Sequence, residues 1–222
     1  RKSLRRLADE GVRVHAVCTD PPYVMDSVIK RFSAAKAKPA QEGRDGAMNR
    51  SSVRFIGKSW DASEIAWDPE FWSLLMEVML PGAFCFACAG PRTVDRQMNA
   101  MRAAGMVIYP LQAWGFMTGL PKGHPSPRGK GWAFGAGAPK VDFEPIVMAM
   151  KPIEEKTFRE NILTFGTGDL NIEGDGRYPS SIIMHPKAGR DDRALDHLVD
   201  GQQGHPTVKP IALMRELVRR IT

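Results

Sequence analysis

Hydrophobic positions along this chain fall into blocks whose period switches between that of a strand and that of a helix. Residues 12–19 carry β-branched and small apolar side chains with no breaker among them, which predicts a buried strand. Ahead of it, residues 3–10 set Leu4 and Leu7 on one face of a short helix that ends at Gly11. Asp68-Pro69-Glu70 is a helix start, with Asp68 as N-cap and Pro69 at the first helical position. Phe71, Leu74, Leu75, Val78 and Met79 follow as an apolar face, and Pro81-Gly82 is expected to stop that helix. Residues 83–89 predict a second buried strand. Thr93 to Ala104 predicts a helix with Val94, Met98 and Met101 inward and Gly105 at its end. Residues 106–116 read as a long strand broken at Pro110, and residues 143–150 as a strand able to pair antiparallel with it. The chain closes on an amphipathic helix, residues 211–222, with Ile211, Met214, Leu217, Val218 and Ile221 on one face and Pro210 at its first position.

Strands alternating with helices predict an α/β fold: three layers, with helices on both faces of a mostly parallel sheet. Residues 1–150 form the expected core. Within it, residues 24–58 and 117–140 are long loops, the first admitting a helical piece near 26–37 and expected to act as a flexible lid. Residues 151–204 change character and read as an irregular insert on the ligand edge of the sheet. Residues 205–222 are a stiff loop followed by the last helix. No tandem repeat is present.

A chain of 222 residues, 43% hydrophobic and 25% charged, fits one soluble domain with a real core. No apolar run reaches membrane-spanning length, and the basic start lacks an apolar signal core, so a cytoplasmic protein without a membrane partner is expected. Three cysteines, an odd number, argue against a disulfide framework. Cys85 and Cys88 have metal-site spacing, but residues three apart on a strand point to opposite faces. They are read as core cysteines, and no metal site is expected.

The formal charge of +6 is unevenly spread. Segment 24–58 holds eight Lys/Arg against three acids, a local excess of five, and segment 118–140 holds four cations and no acid. Solvated loop surface is the plain reading. The functional one is phosphate contact through Lys30, Arg31, Arg50, Arg54, Lys58, Lys122, Arg128 and Lys130.

Two short stretches carry candidate chemistry. Asp20-Pro21-Pro22-Tyr23 ends the first strand at a stiff turn, where α/β sheets bind their ligands. It offers a carboxylate, unpaired carbonyls and an aromatic ring. An exocyclic amino group on a nucleobase is a poor nucleophile because its lone pair is delocalised into the ring. A carboxylate and a proline carbonyl can accept its two N–H hydrogens and free that lone pair, while the aromatic ring stacks on a base flipped from the duplex. An ordinary strand-end turn is the alternative. His205-Pro206-Thr207-Val208-Lys209-Pro210 is the second stretch. It places a histidine, a hydroxyl and a lysine before a helix, where the lysine can neutralise a carboxylate or simply sit in a helix-leading loop.

With Asp20-Pro21-Pro22-Tyr23 near its start and His205 to Pro210 near its end, the chain resembles the beta-class DNA amino-methyltransferases of bacteria and phages. Pro81-Gly82-Ala83-Phe84, Phe143 to Val147 and Gly166 to Ile172 also look like segments of that family. The resemblance implies a Rossmann-like fold, S-adenosylmethionine as cofactor, double-stranded DNA as partner, and a role in DNA methylation or restriction-modification. It implies that Asp20 and the Pro21 carbonyl bind the target amino group, that Pro22 completes the turn and that Tyr23 stacks on the base. It also implies that Asp20, His205, Thr207 and Lys209 lie near the cofactor and that the insert at 151–204 recognises the target. Asp as the first motif residue leans toward adenine N6 over cytosine N4. The family's glycine-rich cofactor segment follows the last helix, so it is expected beyond Thr222, with the chain as given binding cofactor weakly. Phe165 to Gly168 and Phe134 to Gly137 do not follow a strand and lead into a helix, and are not read as substitutes. Two rivals differ in class: a non-catalytic DNA-binding module, and a methyltransferase of RNA or protein amides. The second would carry its cofactor loop upstream of Asp20, where only nineteen residues precede it.

Overall fold

The computed structural model describes residues 1–23, 63–119, 123–135, 139–172, 178–189, 191–192 and 208–222. Segment 24–58 with its expected lid and helical piece, and therefore Lys30, Arg31, Arg50, Arg54 and Lys58, lies outside the described residues, as do Lys122, His205 and Thr207.

The chain begins with helix α1 (Lys2–Asp9) and strand β1 (Val14–Thr19). Helix α2 (Pro69–Glu77) starts as its sequence predicts: Asp68 Oδ1 accepts the Glu70 backbone N–H at 2.9 Å. Strand β2 (Met79–Cys88), helix α3 (Val94–Ala103) and the short strands β3 (Val107–Ile108) and β4 (Gln112–Gly115) follow. A small hairpin, β5 (His124–Pro125) with β6 (Ala133–Phe134), precedes β7 (Phe143–Met150). Helix α4 (Phe158–Phe165), strand β8 (Ile182–Met184) and helix α5 (Ile211–Ile221) complete the order.

The main sheet runs β1-β2-β7-β4-β8, with β3 also on β7. β1 pairs parallel with β2, and β4 parallel with β8, while β7 is antiparallel to its neighbours. β3 and β4 are two pieces of the strand expected over 106–116. Val107 sits opposite Met150 and Gly115 opposite Phe143, and the interruption spans Pro110, which has no N–H to give a ladder.

The two faces of the sheet differ in side-chain size. Cys85, Ala87, Val147 and Ala149 face a layer built on Trp72, Leu75 and Met101 of α2 and α3, with Leu4 and Leu7 of α1 packed at its edge. Phe84, Phe86, Ile146, Met148 and Met150 face Leu213, Leu217 and Ile221 of α5. Small strand residues let the helices that carry the large side chains approach closely. Large strand residues fill the side that the described chain covers with α5. Cys85 and Cys88 lie in opposite layers, as the period of a strand requires.

Three details depart from expectation. Pro81-Gly82 does not end the helix. α2 stops at Glu77, and both residues lie inside β2, where the register with β1 slips between Val14 and Ala16. Gly82 has φ +79°, and a Cβ there would meet Asn161 Nδ2 at 2.4 Å, so the glycine serves a bulge and a close approach. On α5, Leu213 is buried and Val218 is exposed, and Pro210 is the N-cap, its neighbour Ile211 giving its N–H to Asp192 Oδ1 at 2.9 Å. Finally, residues 151–204 are not all irregular, since they supply α4 and the edge strand β8.

Asn161 on α4 explains why the insert stays attached. Its side chain is fully buried, donates to Pro81 O at 2.9 Å and Thr167 O at 2.8 Å, and accepts the Glu154 N–H at 3.1 Å. Gly166 caps α4 with φ +68°, so Phe165 to Gly168 leaves a helix and no strand. Replacing Asn161 with Ala removes all three partners at once. Asn161→Ala is expected to cost about 2 kcal/mol or more, since a buried group left unpaired costs ~1–3 kcal/mol. Urea unfolding of the variant beside the parent protein measures it.

Candidate active site

Parallel strands β1, β2 and β4 leave the sheet at one edge, and the antiparallel β7 enters at that same edge. Two acids meet there. Asp20 follows the last residue of β1, and Glu144 is the second residue of β7, opposite Trp114 of β4. Glu144 lies on the α5 side of β7, two residues before Ile146 of that layer. Lys209 reaches the same point from the loop ahead of α5.

The Lys209 ammonium donates to Asp20 Oδ2 at 2.9 Å and lies 3.3 Å from Glu144 Oε2. Its side chain is 9% exposed, against 34% for Asp20 and 24% for Glu144. The Tyr23 hydroxyl donates to the same Glu144 Oε2 at 3.0 Å. The ammonium also sits 4.9 Å from the centre of the Tyr23 ring, within cation–π reach. Thr93 Oγ1 donates to the Tyr23 carbonyl at 3.2 Å, and Gly90 leaves room for the Tyr23 side chain, 3.4 Å from where a Cβ would stand. Pro21 is buried beneath the turn and Pro22 half-buried.

Burial would lower the lysine's affinity for its proton, but Asp20 and Glu144 outweigh it, and Lys209 is held above the ordinary value of 10.5. Burial pushes the Tyr23 phenol well above 10.0, with the charges of Cys88, Asp20 and Glu144 adding to it. Tyr23 is therefore a neutral hydrogen-bond donor at physiological pH. Burial also pushes Cys18, on β1 two residues before Asp20, up to about 11, which keeps it a thiol.

The structure thus brings together Asp20, Pro21, Pro22, Tyr23 and Lys209, 189 positions apart at the extremes. The carboxylates that Lys209 neutralises here are the chain's own, Asp20 and Glu144. Arg128 and Lys130 are not brought to this cluster. They lie on the β5–β6 hairpin, a separate two-stranded sheet on which Arg128 stacks 4.1 Å from the centre of the exposed Trp132 ring. Among the described residues no group of three or more His, Cys, Asp or Glu could hold a metal ion. Glu144, inside the family-like segment Phe143 to Val147, and Thr93 were given no site role from sequence. The available signal for Glu144 was a charge at the start of an otherwise apolar strand.

No protein-family model matches the chain, and no curated protein sequence matches it. Solved structures do. M1.HpyAVI in its complex with SAM superposes with a TM-score of 0.53 at 14% identity, over 100% of this chain and 72% of that one. A second M1.HpyAVI structure gives a TM-score of 0.48 at 13% identity, over 99% of this chain and 70% of that one. A Thermus thermophilus protein provisionally named a DNA modification methylase gives 0.48 at 17%, over 99% and 72%. The chain shares the α/β fold of M1.HpyAVI, a Rossmann-like, mostly parallel sheet between helical layers.

Replacing Lys209 with Met leaves Asp20 and Glu144 side by side without their shared cation. A lysine whose folded pKa is raised contributes stability that is complete below 10.5, its unfolded value, and is lost as pH climbs through the folded value. Lys209→Met is expected to be less stable than the parent at neutral pH, with the difference shrinking above pH 10.5. Urea unfolding of both proteins across that range checks the sign.

Proposed function

We propose that this chain is the catalytic core of an S-adenosylmethionine-dependent DNA methyltransferase that modifies an exocyclic amino group, with adenine N6 as its target. The observation that carries this reading is the convergence of Asp20 and Tyr23 with Lys209 at the ligand edge of the sheet. Shared fold with M1.HpyAVI, solved with SAM bound, supports it.

When bound, S-adenosylmethionine supplies an electrophilic methyl group on a sulfonium and leaves as a neutral thioether. The residues present fit that cation, since two carboxylates, Asp20 and Glu144, face one ammonium. Asp20, Lys209 and, outside the described residues, His205 and Thr207 are proposed to hold it. Asp20 and the Pro21 carbonyl each accept one N–H of the target amino group, which draws the nitrogen toward tetrahedral geometry and concentrates its lone pair. Tyr23 stacks on the flipped base, and Pro22 fixes the turn between them. Asp20 is also proposed to take the proton that the nitrogen sheds once its fourth bond forms. Such catalysis rests on positioning and on preorganised acceptors.

Duplex DNA is held, in this reading, by cations away from the turn: Arg128 and Lys130 on the hairpin, with Lys30, Arg31, Arg50, Arg54, Lys58 and Lys122. The insert at 151–204 is proposed to read the target sequence. Cytoplasmic location and a place in restriction-modification follow from the same reading. No helix among the described residues is long and apolar enough to cross a membrane.

The test is methyl transfer from labelled S-adenosylmethionine to mixed-sequence duplex DNA, using the protein at its full natural length. N6-methyladenine is the expected product, and Asp20→Ala is expected to abolish it. N4-methylcytosine would replace the target. DNA binding without transfer would leave a DNA-binding module instead. For the hairpin, Arg128→Ala with Lys130→Ala should weaken DNA binding at every sequence. It should also reduce the salt dependence of binding by about two in the log–log slope, near one per phosphate contact.

A further inference from the structure

Glu144 lies in the segment Phe143 to Val147, to which the functional reading gives no role, yet two groups of the site meet at its carboxylate. Oε2 accepts the Tyr23 hydroxyl at 3.0 Å and stands 3.3 Å from the Lys209 ammonium, which itself binds Asp20 at 2.9 Å. We propose that Glu144 is a positioning residue for the amino-group chemistry of Asp20, holding Lys209 and Tyr23 so that Asp20 stays an oriented acceptor. This rests on the methyltransferase reading above.

The argument begins with the lysine. An ammonium with only 9% of its side chain exposed must be paired, because an isolated buried charge costs far more than folding can supply. With a single carboxylate in reach, Lys209 would direct its whole charge at Asp20. A carboxylate so paired accepts a neutral amino N–H less strongly, since hydrogen bonds to an unneutralised anion are the stronger kind. Glu144 divides the ammonium between two anions. Among the described residues only Oδ2 of Asp20 is engaged, which leaves Oδ1 as an acceptor.

The second part is orientation. Tyr23 projects from a turn, where a ring could adopt several rotamers. Its hydroxyl is pinned to Glu144, its carbonyl to Thr93, and Lys209 lies against its face. One carboxylate oxygen therefore fixes the aromatic platform and the lysine together. Glu144 can do this because it stands on a rigid element: Ile146 and Val147, just after it on β7, are fully buried between two helical layers. Glu144 makes no contact with a reacting atom in this arrangement. It acts through Lys209 and Tyr23.

The experiment compares Glu144→Gln with the parent protein at full natural length. Glutamine keeps the shape and an oxygen to accept the Tyr23 hydroxyl, but cannot share the ammonium. The thermal midpoint is expected to fall, since the buried ammonium loses one of its two counterions, and a merely structural role would give the same fall. Two other readouts separate the cases. The proposal expects kcat to fall by about tenfold to a hundredfold, the scale of misplaced reacting groups, with KM for DNA little changed. It also expects the Tyr23 phenol, followed by its ultraviolet absorbance and assigned with Tyr23→Phe, to titrate at lower pH than in the parent. An unchanged kcat in Glu144→Gln overturns the proposal. A parent protein that transfers no methyl group sinks the methyltransferase reading instead. The proposal, which rests on that reading, is then overturned with it, and the inactive parent distinguishes this outcome from an active parent with an unaffected Glu144→Gln.

Discussion

The ammonium of Lys209 is the point on which the arrangement of this chain depends. It joins a turn at the start of the sequence, a strand in the middle and a loop near the end, through Asp20, Glu144 and its own backbone. Such a charge is tolerated in a nearly closed position only when its counterions arrive with it. Two carboxylates do, and each comes from a different strand end. The site is therefore a consequence of sheet assembly, and a chain that failed to register β7 against β2 and β4 would leave the lysine half-paired.

That registration explains why a single antiparallel strand matters. A parallel sheet gathers the carboxyl ends of its strands at one edge, so only residues after strands would reach a ligand there. Reversing β7 brings a strand's first residues to the edge instead. Glu144 can then project from regular, hydrogen-bonded structure while Asp20 and Tyr23 project from a turn. The same edge thus combines a carboxylate held by a strand with one held by a turn. On the far side of the molecule, a second polar hub does comparable work for architecture. Asn161 joins the bulge at Pro81 to the segment after α4, and Gly82 gives up a side chain to make room for it.

Much of this was legible in the sequence, for identifiable reasons. The core strands, the Asp68 cap, the broken strand at Pro110 and its antiparallel partner all follow from local period and from residues with one dominant conformational habit. Asp20, Tyr23 and Lys209 were legible because proline-rich turns beside a strand and a helix are unusual locally. Glu144 was not, because its significance comes from partners 121 and 65 positions away (Tyr23 and Lys209), and no local pattern encodes that. The bulge at Pro81-Gly82 misled for the converse reason. Locally it is a helix stop, but the helix had already ended and the glycine answers to Asn161, 79 positions on. Val218 and Leu213 exchanged places because a short helix with apolar residues on two adjacent stripes leaves the choice of stripe to packing.

The distribution of charge gives the proposed function an internal logic. A base amino group is a donor, and a phosphate is an acceptor, so one protein that binds both must keep its anions and cations apart. Here the centre of the site holds Asp20 and Glu144 against one ammonium, an environment that suits an amino group and repels phosphate. The described cations of the hairpin, Arg128 and Lys130, lie between the strands of a separate sheet, with Arg128 4.1 Å from the centre of an exposed tryptophan ring. Were those cations to line the central site, a backbone phosphate would compete for the place of the base. In the proposed function, the duplex is held by its backbone through the hairpin while one base edge meets the acceptors of the central site. Lys209 escapes this conflict because its charge is already taken by two carboxylates, so it orders the site without advertising a phosphate-binding cation.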